Sequence, residues 1–259
     1  MGRLSNRVAM ITGATGAIGA ATARIFARQG AALALTDLNA DGADALVAEL
    51  TSLGQQVTFA TMDVGSREQV ASVVRSVEES LGPIDILVNN AGISIYGAID
   101  TITDADWHKV MQINLTGVFL CTQAALPPMI AARAGRIVNI ASTAGQKGYA
   151  YCTAYVAAKH GVLGLTRSLA LEVAAQGIAV NAVCPGYTDT AIVRDGVARI
   201  VAATGRDEAD AMATFSKASP LQRLVEPGEV AATVLWLCAD APAAFTGQAM
   251  SLSGGEVMN

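Results

Sequence analysis

Histidine is nearly missing from this chain. Only His108 and His160 are present, and neither stands at ligand spacing from a cysteine, aspartate or glutamate, so no metal site is expected. The four cysteines, Cys121, Cys152, Cys184 and Cys238, are scattered with no C-x-x-C pair. They read as reduced thiols of a cytoplasmic protein, not as a disulfide framework. Charge is also scarce, at 15% of residues against 52% hydrophobic. With a formal net charge of −5 and no basic cluster, nucleic acid is not expected as a partner. The apolar excess is compatible with a subunit that buries area in an oligomer. No signal peptide is expected, because the first apolar run, Val8 to Ile11, is short and meets Gly13 at once. Gly2 is not a myristoylation site, since Asn6 stands where Ser or Thr is needed. Val110 to Ala132 carries no charge and so imitates a membrane span. Gln112, Asn114, Thr116, Gln123 and the Pro127-Pro128 pair within it suit a buried helix better than lipid. No membrane partner is expected.

What is present is alternation. Short aliphatic runs, Val8–Thr12, Ala32–Thr36, Gln56–Met62, Ile84–Asn89, Arg136–Ile140, Ala179–Cys184 and Ala249–Leu252, are separated by longer helical patterns. In Ser66–Leu81 the residues Val70, Val73, Val74, Val77 and Leu81 recur at helical spacing. Glu226–Ala239 repeats the pattern, and Thr103 followed by Asp106 resembles a capping box. At 259 residues, with no composition shift or linker, a single α/β domain is expected. Near-continuous apolar strands alternating with helices predict a doubly wound, seven-stranded parallel sheet of Rossmann type covered on both faces. Ligands of such sheets lie beyond the carboxyl ends of the strands.

The residues with chemistry fall just after strands. The first strand runs into Thr12-Gly13-Ala14-Thr15-Gly16-Ala17-Ile18-Gly19 and then a helix. That arrangement suits a pyrophosphate at a helix N-terminus, or simply a tight turn. Asp37 closes the second strand, where a carboxylate can accept hydrogen bonds from an adenosine ribose and would repel a 2′-phosphate. Leu38 follows it and no Arg or Lys lies in the glycine turn, so NAD(H) is expected over NADP(H). Asp37 could also cap a helix beginning near Asn39. Asp63-Val64 ends the third strand, where it can hold an adenine. Asn89-Asn90-Ala91-Gly92 ends the fourth, as packing beside a flat ligand or as a turn. Tyr155 and Lys159 share a helix face, displaced by ~6 Å of rise. The ammonium is expected to pull the phenol from its reference pKa of ~10 toward neutrality, making it a proton-exchanging group.

This ordered set closely resembles the short-chain dehydrogenase/reductase family over essentially the whole length. The set comprises the glycine turn, Asp63, Asn89–Gly92, Asn114, Ser142, Tyr155 with Lys159, Asn181 and Pro185-Gly186. The resemblance implies Tyr155 as general acid/base and Ser142 as partner of the reacting oxygen. Lys159 is implied to hold the nicotinamide ribose and lower the tyrosine pKa, and Asn114 to anchor a water leading to bulk solvent. By the same resemblance Gly13, Thr15, Gly16, Ile18, Gly19, Asp37, Leu38, Asp63, Val64, Asn90, Ala91 and Gly92 line the cofactor cleft. Pro185, Gly186, Thr188 and Thr190 are implied to contact the nicotinamide carboxamide.

Two departures stand out. Ala17 occupies the place of the turn's middle glycine in many members, and Ser253 replaces the acid usual before Gly254-Gly255. Enoyl reductases of the superfamily use a longer Tyr–Lys spacing, so alcohol or ketone chemistry is implied. The reaction is hydride transfer on a secondary alcohol/ketone pair, possibly a 3-hydroxyacyl/3-oxoacyl thioester. The alternative is a non-catalytic NAD(H)-binding sensor or scaffold, which predicts missing catalytic residues; none is missing. Residues 186–220 are implied to form a substrate lid whose apolar side chains cover a substrate or pack on the body. Its Arg, Lys, Asp and Glu residues read as a solvated face. Tyr96, Tyr149, Tyr151 and Cys152 are candidates for the pocket wall. A tetramer built around Leu115–Met129 and Ala157–Val173 is also implied.

Overall fold

The computed structural model describes residues 2–258. Among these, the first half alternates β1 (Val8–Thr12), α1 (Ala17–Arg28), β2 (Ala32–Asp37), α2 (Ala43–Ser52), β3 (Val57–Thr61), α3 (Arg67–Leu81) and β4 (Ile86–Asn89). Then come α4 (Asp104–Met111), α5 (Gly117–Ala132), β5 (Gly135–Ile140), α6 (Thr153–Val173) and β6 (Ile178–Pro185). The chain closes with α7 (Ala191–Thr204), α8 (Glu208–Ser216), α9 (Pro227–Ala239) and β7 (Ala249–Leu252). The strands form one sheet in the order β3-β2-β1-β4-β5-β6-β7, and every pairing is parallel. The order reverses between β1 and β4, which opens a crevice at their carboxyl ends.

Alternate residues of each strand feed two apolar layers. Ala9 and Ile11 of β1, with Leu33 and Leu35 of β2, face Phe26 of α1, Leu50 of α2 and Val234 of α9. Val8 and Met10 face the other way, into a layer with Val74 of α3, Cys121 and Met129 of α5, and Val173 of α6. The strands are apolar on both faces because both faces are covered. Between the layers runs a buried polar chain. Asn89 Nδ2 donates to Asn139 Oδ1 at 2.9 Å and to Thr122 Oγ1 at 3.1 Å. Asn139 Nδ2 in turn donates to Thr166 Oγ1 at 2.9 Å. These bonds tie α5, β4, β5 and α6 together, leaving only Asn89 Oδ1 of the four side chains without a partner.

The expected strands lie where the aliphatic runs place them, with shifts of one or two residues at their ends. Side-chain caps open α3 and α4, of which the Thr103–Asp106 box is the one expected from sequence. Ser66 Oγ accepts from Gln69 N ahead of α3, and Thr103 and Asp106 form a reciprocal capping box. The uncharged stretch differs from the single buried helix expected. It is broken by a π-helical turn, Gln112–Thr116, between α4 and α5. Asp104–Ala132 is a continuous helical run long and apolar enough to cross a membrane, yet only 39% of its most apolar window is buried. Phe119 and Ile130 on α5 and Leu171 on α6 are exposed, on the two helices where the oligomer expectation fell. The helix after β2 begins at Ala43 under Gly42, not near Asn39. Asp37 therefore caps nothing.

Candidate active site

The crevice beyond β1 and β4 opens into a cleft of ≈ 470 Å³. Its nucleotide end is built on close backbone approach. A Cβ on Gly13, whose φ is +63°, would lie 2.8 Å from Ala91 Cα. Thr12 Oγ1 accepts from the backbone N–H groups of Asn90 and Ala91 at 3.0 and 3.1 Å. Asn90 Nδ2 returns two bonds, to Thr12 O at 3.0 Å and Gly13 O at 2.9 Å. The turn after β1 is thus clamped to the turn after β4.

Asp37 sits across the glycine turn. Its Oδ2 accepts from Thr15 N at 3.0 Å and Thr15 Oγ1 at 2.7 Å, and its Oδ1 from Leu38 N at 2.8 Å. Asp63 holds its own turn by accepting from Gly65 N at 2.8 Å.

At the far end Ser142 leaves β5 in an extended conformation, its Oγ accepting from Ala144 N at 3.1 Å. Tyr155 and Lys159 come from the first turns of α6. Lys159 is 4% exposed, and its Nζ donates to Ile140 O at 2.8 Å. The Nζ lies 5.6 Å from the Tyr155 ring centroid. Burial pulls the Lys159 ammonium from 10.5 down to about 8. Burial also pushes the Tyr155 phenol well above its ordinary value, opposed by the Ser142 hydroxyl. The expected lowering of the tyrosine pKa by its lysine is therefore not what the structure shows. The desolvation that weakens the lysine's charge also penalises the phenolate, and in this pair burial wins.

The cleft gathers most of the residues singled out from sequence: Gly13, Thr15, Gly16, Ile18, Asp37, Leu38, Asp63, Val64, Asn90, Ala91, Gly92, Ser142, Tyr155, Lys159, Pro185, Gly186, Thr188 and Thr190. Two others stand one layer behind. A Cβ on Gly19 would come within 2.2 Å of Gly13 O, so this glycine supports the turn and does not line the cleft. Asn114 lies in the π-helical turn, fully buried. Its Nδ2 donates to Ile93 O and Val110 O, each at 2.9 Å. Its Oδ1 would be 2.7 Å from a Cβ on Gly92, so Asn114 backs that glycine from behind. Asn181 is structural, donating to Phe245 O at 2.8 Å and accepting from Gln248 N at 3.0 Å.

Tyr96, Tyr149 and Cys152 line the cleft as expected, but Tyr151 points away and is 68% exposed. Ile93, Thr143, Tyr187, Ile192 and Val193 complete the substrate end. Sequence reasoning misses Tyr187, whose only signal is its place after Pro185-Gly186, and Thr143, which carries no signal beyond its place after Ser142. The apolar residues of α7 and α8 close mainly on one another, with Val193, Val197, Ala211 and Phe215 packed against Tyr187. Arg194 pairs with Asp189 and Arg206 with Asp210 at the surface, in keeping with a solvated face.

The residues present fit a dinucleotide. Helix α1 has Gly16 as its N-cap residue, with no side-chain cap and no acidic residue in its first turn. Its first N–H groups thus remain available to an anion. The fold itself does not demand glycine at position 16, because a Cβ there would meet only Gly13 O, at 3.4 Å. The bare site is one that a ligand approaching the backbone would require.

Comparison with known proteins agrees with this geometry. The family profile described as short chain dehydrogenase matches residues 7–199, and the chain belongs to the short-chain dehydrogenase/reductase family. It is 40% identical over 253 residues to the (2S)-[(R)-hydroxy(phenyl)methyl]succinyl-CoA dehydrogenase subunit BbsD of Thauera aromatica, spanning 98% of this chain and 97% of that protein. It is 41% identical over 252 residues to cis-4-hydroxycyclohexanecarboxylate dehydrogenase of Sinomonas cyclohexanicum, spanning 97% and 96%. A crystal structure of a variant actinorhodin polyketide ketoreductase with NADPH superposes with a TM-score of 0.93 at 37% identity, each chain covered to 99%.

Two outcomes follow. Gly16→Ala is expected to leave unfolding within about 0.5 kcal/mol of wild type while weakening dinucleotide binding about tenfold or more. A melting curve and a calorimetric titration with NADH check this, and a stable variant with unchanged affinity would count against the fit. The second concerns Lys159. Its folded pKa of about 8 lies below the ordinary 10.5, so the folded state binds fewer protons than the unfolded one between those values. Stability from this group is present above the higher value and lost as pH falls through the lower. Urea unfolding of wild type should gain roughly 3 kcal/mol on Lys159→Met across that interval; parallel pH profiles would refute the burial argument.

Proposed function

We propose that the protein is an NAD(H)-dependent oxidoreductase that interconverts a secondary alcohol and a ketone. The convergence of Ser142, Tyr155 and Lys159 on one end of a cleft whose other end is the glycine turn and Asp37 carries this reading. A bound nicotinamide supplies or takes up the hydride. Tyr155, held as a phenol by burial, gives its proton to the carbonyl oxygen in reduction and is left as the phenolate; in the reverse direction it must first lose its proton to solvent, and the phenolate then takes one from the alcohol. Ser142 holds that oxygen in place. Lys159, within reach of Tyr155 and buried as a cation, favours the transient phenolate and binds the ribose hydroxyls. Asn114, behind Gly92, supports the lysine's surroundings.

The relatives support the reaction class, being named as dehydrogenases of hydroxy compounds and as ketoacyl reductases. Ile93, Tyr96, Tyr149, Tyr187, Ile192 and Val193 give the substrate end apolar and aromatic walls, suited to a ring or an acyl chain; a 3-hydroxyacyl/3-oxoacyl thioester belongs to the same reaction class. The preference for NAD(H) rests on Asp37, followed by Leu38, and on a glycine turn without Arg or Lys; the structural relative, solved with NADPH, leans the other way. The Asp37 carboxylate is held at the end of β2 by Thr15 and Leu38, and a negative charge there supports the reading by repelling a 2′-phosphate.

Tyr155→Phe is expected to lose about a hundredfold to ten-thousandfold in kcat with NADH affinity retained; near-normal turnover on any accepted alcohol would sink the mechanism. For the cofactor, kcat/KM with NADH is expected to exceed that with NADPH, and Asp37→Ser to narrow the gap. A higher value with NADPH in the unmodified protein overturns the Asp37 argument.

A further inference from the structure

Behind the substrate wall lies a relay of polar side chains that the proposed mechanism leaves unused. Thr143 Oγ1 and Tyr149 Oη are 2.7 Å apart. Tyr149 Oη donates to Glu256 Oε1 at 2.6 Å, and Lys147 Nζ pairs with the same oxygen at 3.0 Å. The Glu256 side chain is only 5% exposed. Its second oxygen, Oε2, is buried without a hydrogen-bond partner and packs behind Gly186, 3.1 Å from where a Cβ there would stand. Thr143 and Tyr149 line the cleft; Lys147 and Glu256 do not.

Donor counting fixes the direction of this relay. A carboxylate only accepts, and a phenol has one proton. Tyr149 spends that proton on Glu256, so in the Thr143–Tyr149 bond the threonine must donate. Both hydroxyls have then used their only proton, and toward the cleft each offers lone pairs alone. Lys147 is committed to the carboxylate and lies 4.8 Å from the Tyr149 ring centroid. Edge-to-face packing of Tyr149 on Tyr187, and of Tyr187 on Phe215, holds the phenol ring in place.

We infer that Glu256, acting through Tyr149, is a specificity-determining residue that makes the Thr143–Tyr149 edge of the cleft an acceptor-only wall. The substrate it selects is a secondary alcohol or ketone carrying a second hydrogen-bond donor, such as a hydroxyl, beside the reacting carbon. A carboxylate at that position meets only lone pairs, and is rejected. The inference rests on the proposed alcohol/ketone reaction for the position of the reacting carbon.

The test compares three probes on the NAD-loaded protein: cyclohexanol, a vicinal cyclohexanediol, and cyclohexanol with a carboxylate on the neighbouring carbon. Calorimetry gives their affinities, and NADH formation is followed alongside. The diol is expected to bind about tenfold more tightly than cyclohexanol, and the acid about tenfold more weakly. Tyr149→Phe should bring diol and cyclohexanol to near parity. Glu256→Leu frees the Tyr149 proton and Lys147, and should raise affinity for the acid about tenfold. If Glu256→Leu does not melt cooperatively, Tyr149→Phe alone decides. Equal affinities in wild type, or a diol preference that survives Tyr149→Phe, overturn the inference. Discrimination in binding with no NADH formed overturns the proposed reaction and leaves the acceptor wall standing.

Discussion

The clamp between the turns after β1 and β4 is the contact on which the rest of the cleft depends. Parallel strands put every carboxyl end on one edge of the sheet, but only the reversal of strand order leaves a gap there. Thr12 and Asn90 set the width of that gap with four hydrogen bonds. Gly13 is required because any side chain would strike Ala91. With the turns fixed, α1 presents its uncapped N-terminus and Asp37 reaches across to Thr15. The recognition end of the site is thus a product of backbone placement more than of reactive side chains.

The chemical end depends on the opposite condition, dense burial of ionisable groups. Lys159 gives up much of its basicity to lie under Ile140, and Tyr155 is held firmly as a phenol. A protonated phenol beside a buried cation is a proton donor with its successor charge already provided for. Sequence spacing revealed that the two side chains share a helix face. It did not reveal that burial outweighs their attraction, because spacing carries no information on how much protein covers a helix.

That distinction recurs through the molecule. The strands and the residues after them were legible, since a sheet covered on both faces needs continuous apolar runs and its ligands gather at one edge. Gly19 has the right neighbourhood in the sequence but lies one layer behind the cleft it was expected to line. Tyr151 was grouped with Tyr149 by adjacency, yet its φ of +64° turns it to solvent. The apolar residues of α7 and α8 were assigned to a substrate or to the body, and mostly close on each other. Glu256 was invisible as a site residue. A lone acid near the end of a chain has no periodicity or motif, and only the tertiary fold brings it against Tyr149.

The π-helical turn Gln112–Thr116 has a consequence for how this helix can change. Successive residues of an α-helix are offset by ~100°, so one residue too many in a turn rotates everything beyond it by about that angle. Here the offset lets α4 and α5 serve different masters: α4 packs toward α6 beside Tyr155, and α5 toward the sheet. Removing a single residue from the turn would shorten the helix by ~1.5 Å but swing Asn114 or the whole of α5 out of phase. A change of length within the turn therefore disturbs this phasing along with the spacing. The turn acts as a phase coupling between the core and the site.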